Sequence, residues 1–198
     1  MKFLLFLCAV ADINAQLGGM SANGIMDGHN ALRGAIAKGE YVVKGVRKPS
    51  ASDMQMMIYN FELGRSAQVI ASQCPTDTSS KPGMNIYSYT ASSFAALGSI
   101  GPYGRKAADH WAKQFQDYGW PTNFKTEDTR IAAATQMAYS KANRVGCGFN
   151  YCGNDRNRIV IVCLYNAIPV SGQSLYQSGK VCAACSSQQQ CEYGGLCL

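Results

Sequence analysis

Eight cysteines downstream of an apolar leader constrain this chain more than any other feature. The first fifteen residues carry Lys2, an apolar run over residues 3–11, and small or polar residues up to Ala15. That is the layout of a secretory signal, so a signal peptide is expected at residues 1–15 and a mature chain from about Gln16. Cys8 falls in the leader, leaving Cys74, Cys147, Cys152, Cys163, Cys182, Cys185, Cys191 and Cys197. An even set of thiols in an oxidising compartment reads as four disulfides, although the count alone leaves about a hundred pairings open. The last four also have the spacing of a small zinc knot, against which stand the exported setting and the lack of a nearby histidine.

No apolar run approaches the roughly twenty residues that cross a bilayer, so no membrane insertion is expected. The roughly 180 residues beyond the leader suit one domain with a full core. We expect that domain over residues 16–178 and a cysteine-rich tail over 179–198. The net charge is +6, spread over scattered Lys and Arg rather than one dense run. Such a spread reads as a solvated surface, or as a mild footprint for an acidic partner, and nucleic acid is a poor partner for an exported chain.

Apolar positions at helical spacing (Ile25, Met26, Leu32, Ile36, with His29 on the same side) predict a first helix over residues 25–38, closed by Gly39. Ser52 and Asp53 are good N-caps, and the spacing of Met54, Met57, Ile58, Phe61, Ala67 and Ile70 predicts a second helix through Ala71. A third is expected over about 104–118, ended by Gly119 and Pro121. The period then shortens to two, which predicts β-runs at 135–139, 144–150 and 159–165. Residues 159–163 (IVIVC) are apolar throughout and should form a central strand covered on both faces, hence a three-layer arrangement.

Several ordered segments carry a resemblance: His29-Asn30-x-x-Arg33, Gly83-x-Asn85, residues 111–118, Thr135-Gln136-Met137, Val145-Gly146-Cys147, Val162-Cys163-Leu164-Tyr165, and the tail. Together they resemble the superfamily of cysteine-rich secretory proteins, antigen five and pathogenesis-related proteins. The spacing is most similar to the single-domain, venom allergen-like activation-associated secreted proteins of nematodes. The resemblance implies an α+β fold, a three-layer αβα sandwich with a disulfide-stapled tail. It also implies the pairs Cys74 with Cys152, Cys147 with Cys163, Cys182 with Cys191 and Cys185 with Cys197.

Many members have a cleft with two histidines and two glutamates able to hold a divalent metal. Here the matching positions are Ala133, Met84 and Gln114, and the loop after Cys74 has no histidine. None of these residues ionises or ligates a transition metal strongly, so neither a metal, a cofactor nor acid–base chemistry is expected in that cleft. His110, beside Trp111, reads as a structural histidine, with an anion contact or lone base as the sharper alternative. His29 reads as a packing residue. Ser92, Ser93 and Ser140 lie in no nucleophile elbow.

The function implied is that of a secreted, non-enzymatic parasite effector, monomer or weak dimer, that binds a host cell-surface protein. A platelet integrin is suspected because one member of the family is associated with that antagonism. Glu40, in Lys38-Gly39-Glu40 at a helix exit, is the candidate integrin contact, the plainer reading being a solvated helix end. The alternative is a lipid or sterol carrier with a groove along residues 92–103. Aromatic residues in loops and strand ends, among them Tyr89, Trp120, Phe124, Tyr176 and Tyr193, are candidate interface anchors.

Overall fold

The computed structural model describes residues 21–121, 128–192 and 194–198. The leader, Gln16, Phe124 and Tyr193 lie outside the described residues. The described residues form five helices, α1 (Ser21–Ala37), α2 (Phe61–Ser72), α3 (Phe94–Leu97), α4 (Gly101–Tyr118) and α5 (Ala132–Ala138), the last preceded by a 3₁₀ turn at Thr129–Ile131. The strands are β1 (Val42–Val43), β2 (Val46–Arg47), β3 (Ile58–Tyr59), β4 (Met84–Thr90), β5 (Arg144–Cys152), β6 (Arg158–Tyr165), β7 (Cys191–Glu192) and β8 (Leu196–Cys197).

A four-stranded sheet of order β3-β5-β6-β4 is the middle layer, antiparallel except where β3 runs parallel to β5. Strand β6 is central, and side-chain alternation divides it. Val160 and Val162 face α2, while Ile159, Ile161, Cys163 and Tyr165 face a larger core shared with α1, α4 and α5. The result is an α+β fold in three layers, αβα.

Close approach explains the thin layer. Helix α2 turns Gly64, Ala67 and Ala71 inward, and it seats its backbone on glycines of β5. A methyl group on Gly146 would lie 2.1 Å from the Gly64 nitrogen, and one on Gly148 2.3 Å from Gln68. Helices α1 and α4 cross in the same manner, with Gly28 against Ala108. Gly39, at φ +67°, ends α1 with the Gly39 N–H bonded to Ile36 O and the Glu40 N–H to Ala35 O.

Two expected elements are corrected. The second helix starts at Phe61, capped by Asn60 whose Oδ1 accepts from the Leu63 N–H at 2.9 Å. Ser52 and Asp53 bond instead to Gln177, and Asp53 also to Ser140, so long-range partners displace local capping. Met54 and Met57 are buried from an extended segment, and Phe61, a later residue of the apparent stripe, is 64% exposed. The run at 135–139 is helical, not β: residues 133–138 are all buried, so no amphipathic period shows, and alanine favours the helix. Strand β4 carries no expectation from the sequence, and α4 begins three residues early with Pro102 in its first turn.

The sulfurs are joined as Cys74–Cys152, Cys147–Cys163, Cys182–Cys191 and Cys185–Cys197. The tail is also zipped by backbone bonds to residues 50–56: Gly179 N–H to Ser50 O, Ala184 N–H to Ser52 O, and a reciprocal set joining Cys197 to Met54 and Met56.

Candidate functional site

The region that would be a cleft lies where the N-terminus of α5 meets α4 and β4. The first amides of α5 need acceptors, and Gln114 of α4 supplies one: its Oε1 accepts from the N–H of Ala133 at 3.0 Å and of Ala134 at 3.1 Å. Ala133 is fully buried. Its carbonyl accepts from Asn85 Nδ2 at 3.1 Å, which fixes β4 to α5. Met84, one residue earlier on the strand, packs instead against the smaller cluster beneath α2. The structure therefore brings Gln114 and Ala133 together and turns Met84 away.

Behind Asn85 runs a buried polar chain. Asn85 Nδ2 also donates to the Tyr165 hydroxyl (3.0 Å), which lies 2.7 Å from His29 Nε2, while His29 Nδ1 lies 2.8 Å from Ile25 O. A carbonyl only accepts, so Nδ1 carries the proton and Nε2 accepts from Tyr165. Burial pushes the His29 pKa down to about 4 and the Tyr165 pKa up, so both are neutral at physiological pH. A neutral imidazole with both nitrogens engaged in the core is scaffold.

Arg33, one turn along α1, is equally buried. Its guanidinium donates to the carbonyls of Gln55 (2.7 Å), Met137 and Tyr139 (both 2.9 Å) and Ser140 (3.1 Å). Burial lowers its pKa to about 9, opposed by Asp53, which leaves it charged. Asn30 completes the knot, with its amide bonded to both the N–H and the carbonyl of Met57. The His-Asn-x-x-Arg spacing signals this anchor of α1 to the loops, although composition alone does not reveal it.

The remaining candidates are dispersed. His110 is exposed on α4, edge-on to Tyr87 with ring centroids 5.4 Å apart. Glu40 is exposed just past α1, its carboxylate 2.8 Å from Lys38 Nζ. In the loop expected to line a lipid groove, Leu97 and Tyr103 are buried and the Tyr103 hydroxyl donates to Leu97 O, which closes the loop on itself. A cavity of about 250 Å³ beside α5 is lined by the loop after Cys74 together with Ala132, Gln136 and Ile168. The one charged group among its described lining residues, Lys81, lies 3.8 Å from Asp77.

Within the tail, Cys182, Cys185 and Cys197 have sulfurs close enough to share a metal, but each is in a disulfide and offers no thiolate. No described helix is long and apolar enough to cross a membrane.

A model of the cysteine-rich secretory protein family matches residues 26–165. Venom allergen 5 of Polybia paulista is 32% identical over 165 residues, covering 77% of each chain. Cysteine-rich secretory protein 3 of Homo sapiens is 30% identical over 185 residues, covering 87% of this chain and 66% of its own. Among solved structures, NaASP2 with Zn²⁺ superposes with a TM-score of 0.75 at 23% identity, over 91% of this chain and 98% of that one. Hookworm platelet inhibitor does so with a TM-score of 0.69 at 19% identity, over 88% of each.

The zinc belongs to NaASP2; the residues here do not fit one, because the Gln114 oxygen is spent on two backbone amides and Ala133 has no donor atom. Matched over most of its length and in its three layers, the chain belongs to the cysteine-rich secretory protein family.

Proposed function

We propose that this chain is a secreted, non-enzymatic effector that works by occupying a surface of a host cell-surface protein, with a platelet integrin as the partner to test first. The observation that carries the reading is the Gln114–Ala133 contact: the amide oxygen of Gln114 is consumed in capping a helix. Neither group transfers a proton, so neither serves general acid–base chemistry. The four disulfides and the names of the relatives, venom and secretory proteins, support an extracellular life. Hookworm platelet inhibitor, similar in fold, brings platelets into the test.

The experiment adds refolded, labelled protein to platelet and leukocyte membranes and scores platelet adhesion to collagen and fibrinogen. Saturable binding with reduced adhesion supports the reading; no saturable binding to either membrane overturns it. Glu40→Ala tests the triplet separately, and unchanged inhibition discards it, since its carboxylate already pairs with Lys38.

A further inference from the structure

Between the β1–β2 hairpin and the segment before the tail lies an open cleft of about 380 Å³, whose lining includes none of Met84, Gln114 and Ala133. Its floor is an aromatic pile: Trp120 sits 4.6 Å from Phe115 and 6.1 Å from both Tyr41 and Tyr176, centroid to centroid. The Tyr176 hydroxyl donates to Pro49 O at 2.9 Å, so floor and rim are tied together. Such a floor is ordered before anything binds, which lowers the entropic cost of binding.

The rim is cationic. Arg47 and Lys48 line the cleft, with Lys48 Nζ 5.8 Å above the Trp120 ring, and no described lining residue carries a carboxylate. Arg47 is held by a hydrogen bond to Gly39 O and has no ion-pair partner among the described residues. Val46 of β2, 59% exposed, lines the same opening. A rigid apolar floor beneath cations that have no ion-pair partner among the described residues selects an acidic group attached to an apolar one.

We propose that this cleft is the docking site for an acidic, extended segment of the partner protein, which places an apolar or aromatic side chain on Trp120 and carboxylates against Arg47 and Lys48. The inference rests on the reading of this chain as a host-protein binder and names the surface and the chemistry of that partner.

The chain has two tryptophans, and Trp111 is buried in the core, so Trp120 emission reports on the cleft directly. The probe is the peptide acetyl-Glu-Asp-Phe-Asp-Glu-amide, with acetyl-Gln-Asn-Phe-Asn-Gln-amide as its neutral control. The acidic peptide should change the emission saturably, and the neutral one should bind at least roughly tenfold more weakly. Trp120→Phe should remove the signal, and Lys48→Glu should weaken peptide binding by roughly tenfold or more. Arg65→Glu, on α2 across the sheet, should change it by less than about twofold.

The same variants are then scored for binding to platelet and leukocyte membranes. Loss with Lys48→Glu but not Arg65→Glu supports the proposal. An unchanged emission up to about millimolar peptide, equal binding of the neutral peptide, or full membrane binding by Lys48→Glu overturns it while leaving the effector reading intact. Peptide binding without any membrane binding by the unaltered protein overturns the effector reading instead.

Discussion

Gln114 on α4 holds the start of α5 through a single amide oxygen, which receives the N–H groups of both Ala133 and Ala134. A position that could have served chemistry serves a helix end. Gln114→Ala should cost about 1 to 2 kcal/mol, the usual effect of removing a cap whose donors are then left in a partly buried place. Gln114→Glu keeps the acceptor and adds a charge that suits a helix N-terminus, so it should match or exceed the parent near neutral pH. Urea midpoints of the three proteins check the order, and Gln114→Glu ranking with Gln114→Ala would contradict it.

His29 links stability to pH. Its folded pKa is depressed from 6.5 to about 4, so below pH 6.5 the unfolded chain takes up a proton that the folded chain refuses. The contribution is present above pH 6.5 and is lost as the pH falls towards 4, by on the order of 3 kcal/mol. His29→Gln should be less stable at neutral pH, and the gap between it and the parent should narrow across that window. A gap that stays constant from pH 7 to 4 would remove His29 as the cause.

Arg33 should not tolerate even a conservative change. Lysine presents three donors on a point charge and cannot reproduce a fork that reaches four carbonyls from Gln55 to Ser140. Arg33→Lys is expected to cost about 2 to 4 kcal/mol by leaving buried acceptors unmet. Thermal unfolding within about 1 °C of the parent would show that the fork is dispensable.

Glycine positions separate space from backbone conformation. Gly146→Ala drives a methyl into the α2 backbone and should cost about 3 kcal/mol or more, with α2 displaced. Gly45→Ala, in the hairpin turn with φ +78° and open space around it, should cost only about 1 kcal/mol. Equal costs at the two sites would refute the close seating of α2 on β5.

The layers were legible where side-chain period and burial agree. The run Ile159, Val160, Ile161 and Val162 is expected to be a covered central strand, and it is one. The second helix was misread because Met54, Met57 and Phe61 mimic a helical stripe, while the bonds that hold Ser52 and Asp53 come from Gln177 and Ser140, more than eighty residues away. α5 was misread because full burial erases the period that sequence reading relies on. At the degenerate cleft, the residue types at Gln114 and Ala133 were readable, but not that they bond to each other or that Met84 faces the other side of the sheet. The aromatic floor under Lys48 joins Tyr41 ahead of β1, Phe115 of α4, Trp120 and Tyr176 of the pre-tail segment, a juxtaposition that no local pattern encodes.

The most direct test of the proposal that the cleft is chemically blank is a calorimetric titration of the purified, folded protein with Zn²⁺, with the amide resonances of Gln114, Ala133 and Ala134 followed in parallel. No saturable uptake below about millimolar zinc and no movement of those resonances is the expected result. One equivalent of tightly bound zinc that shifts all three would contradict the account.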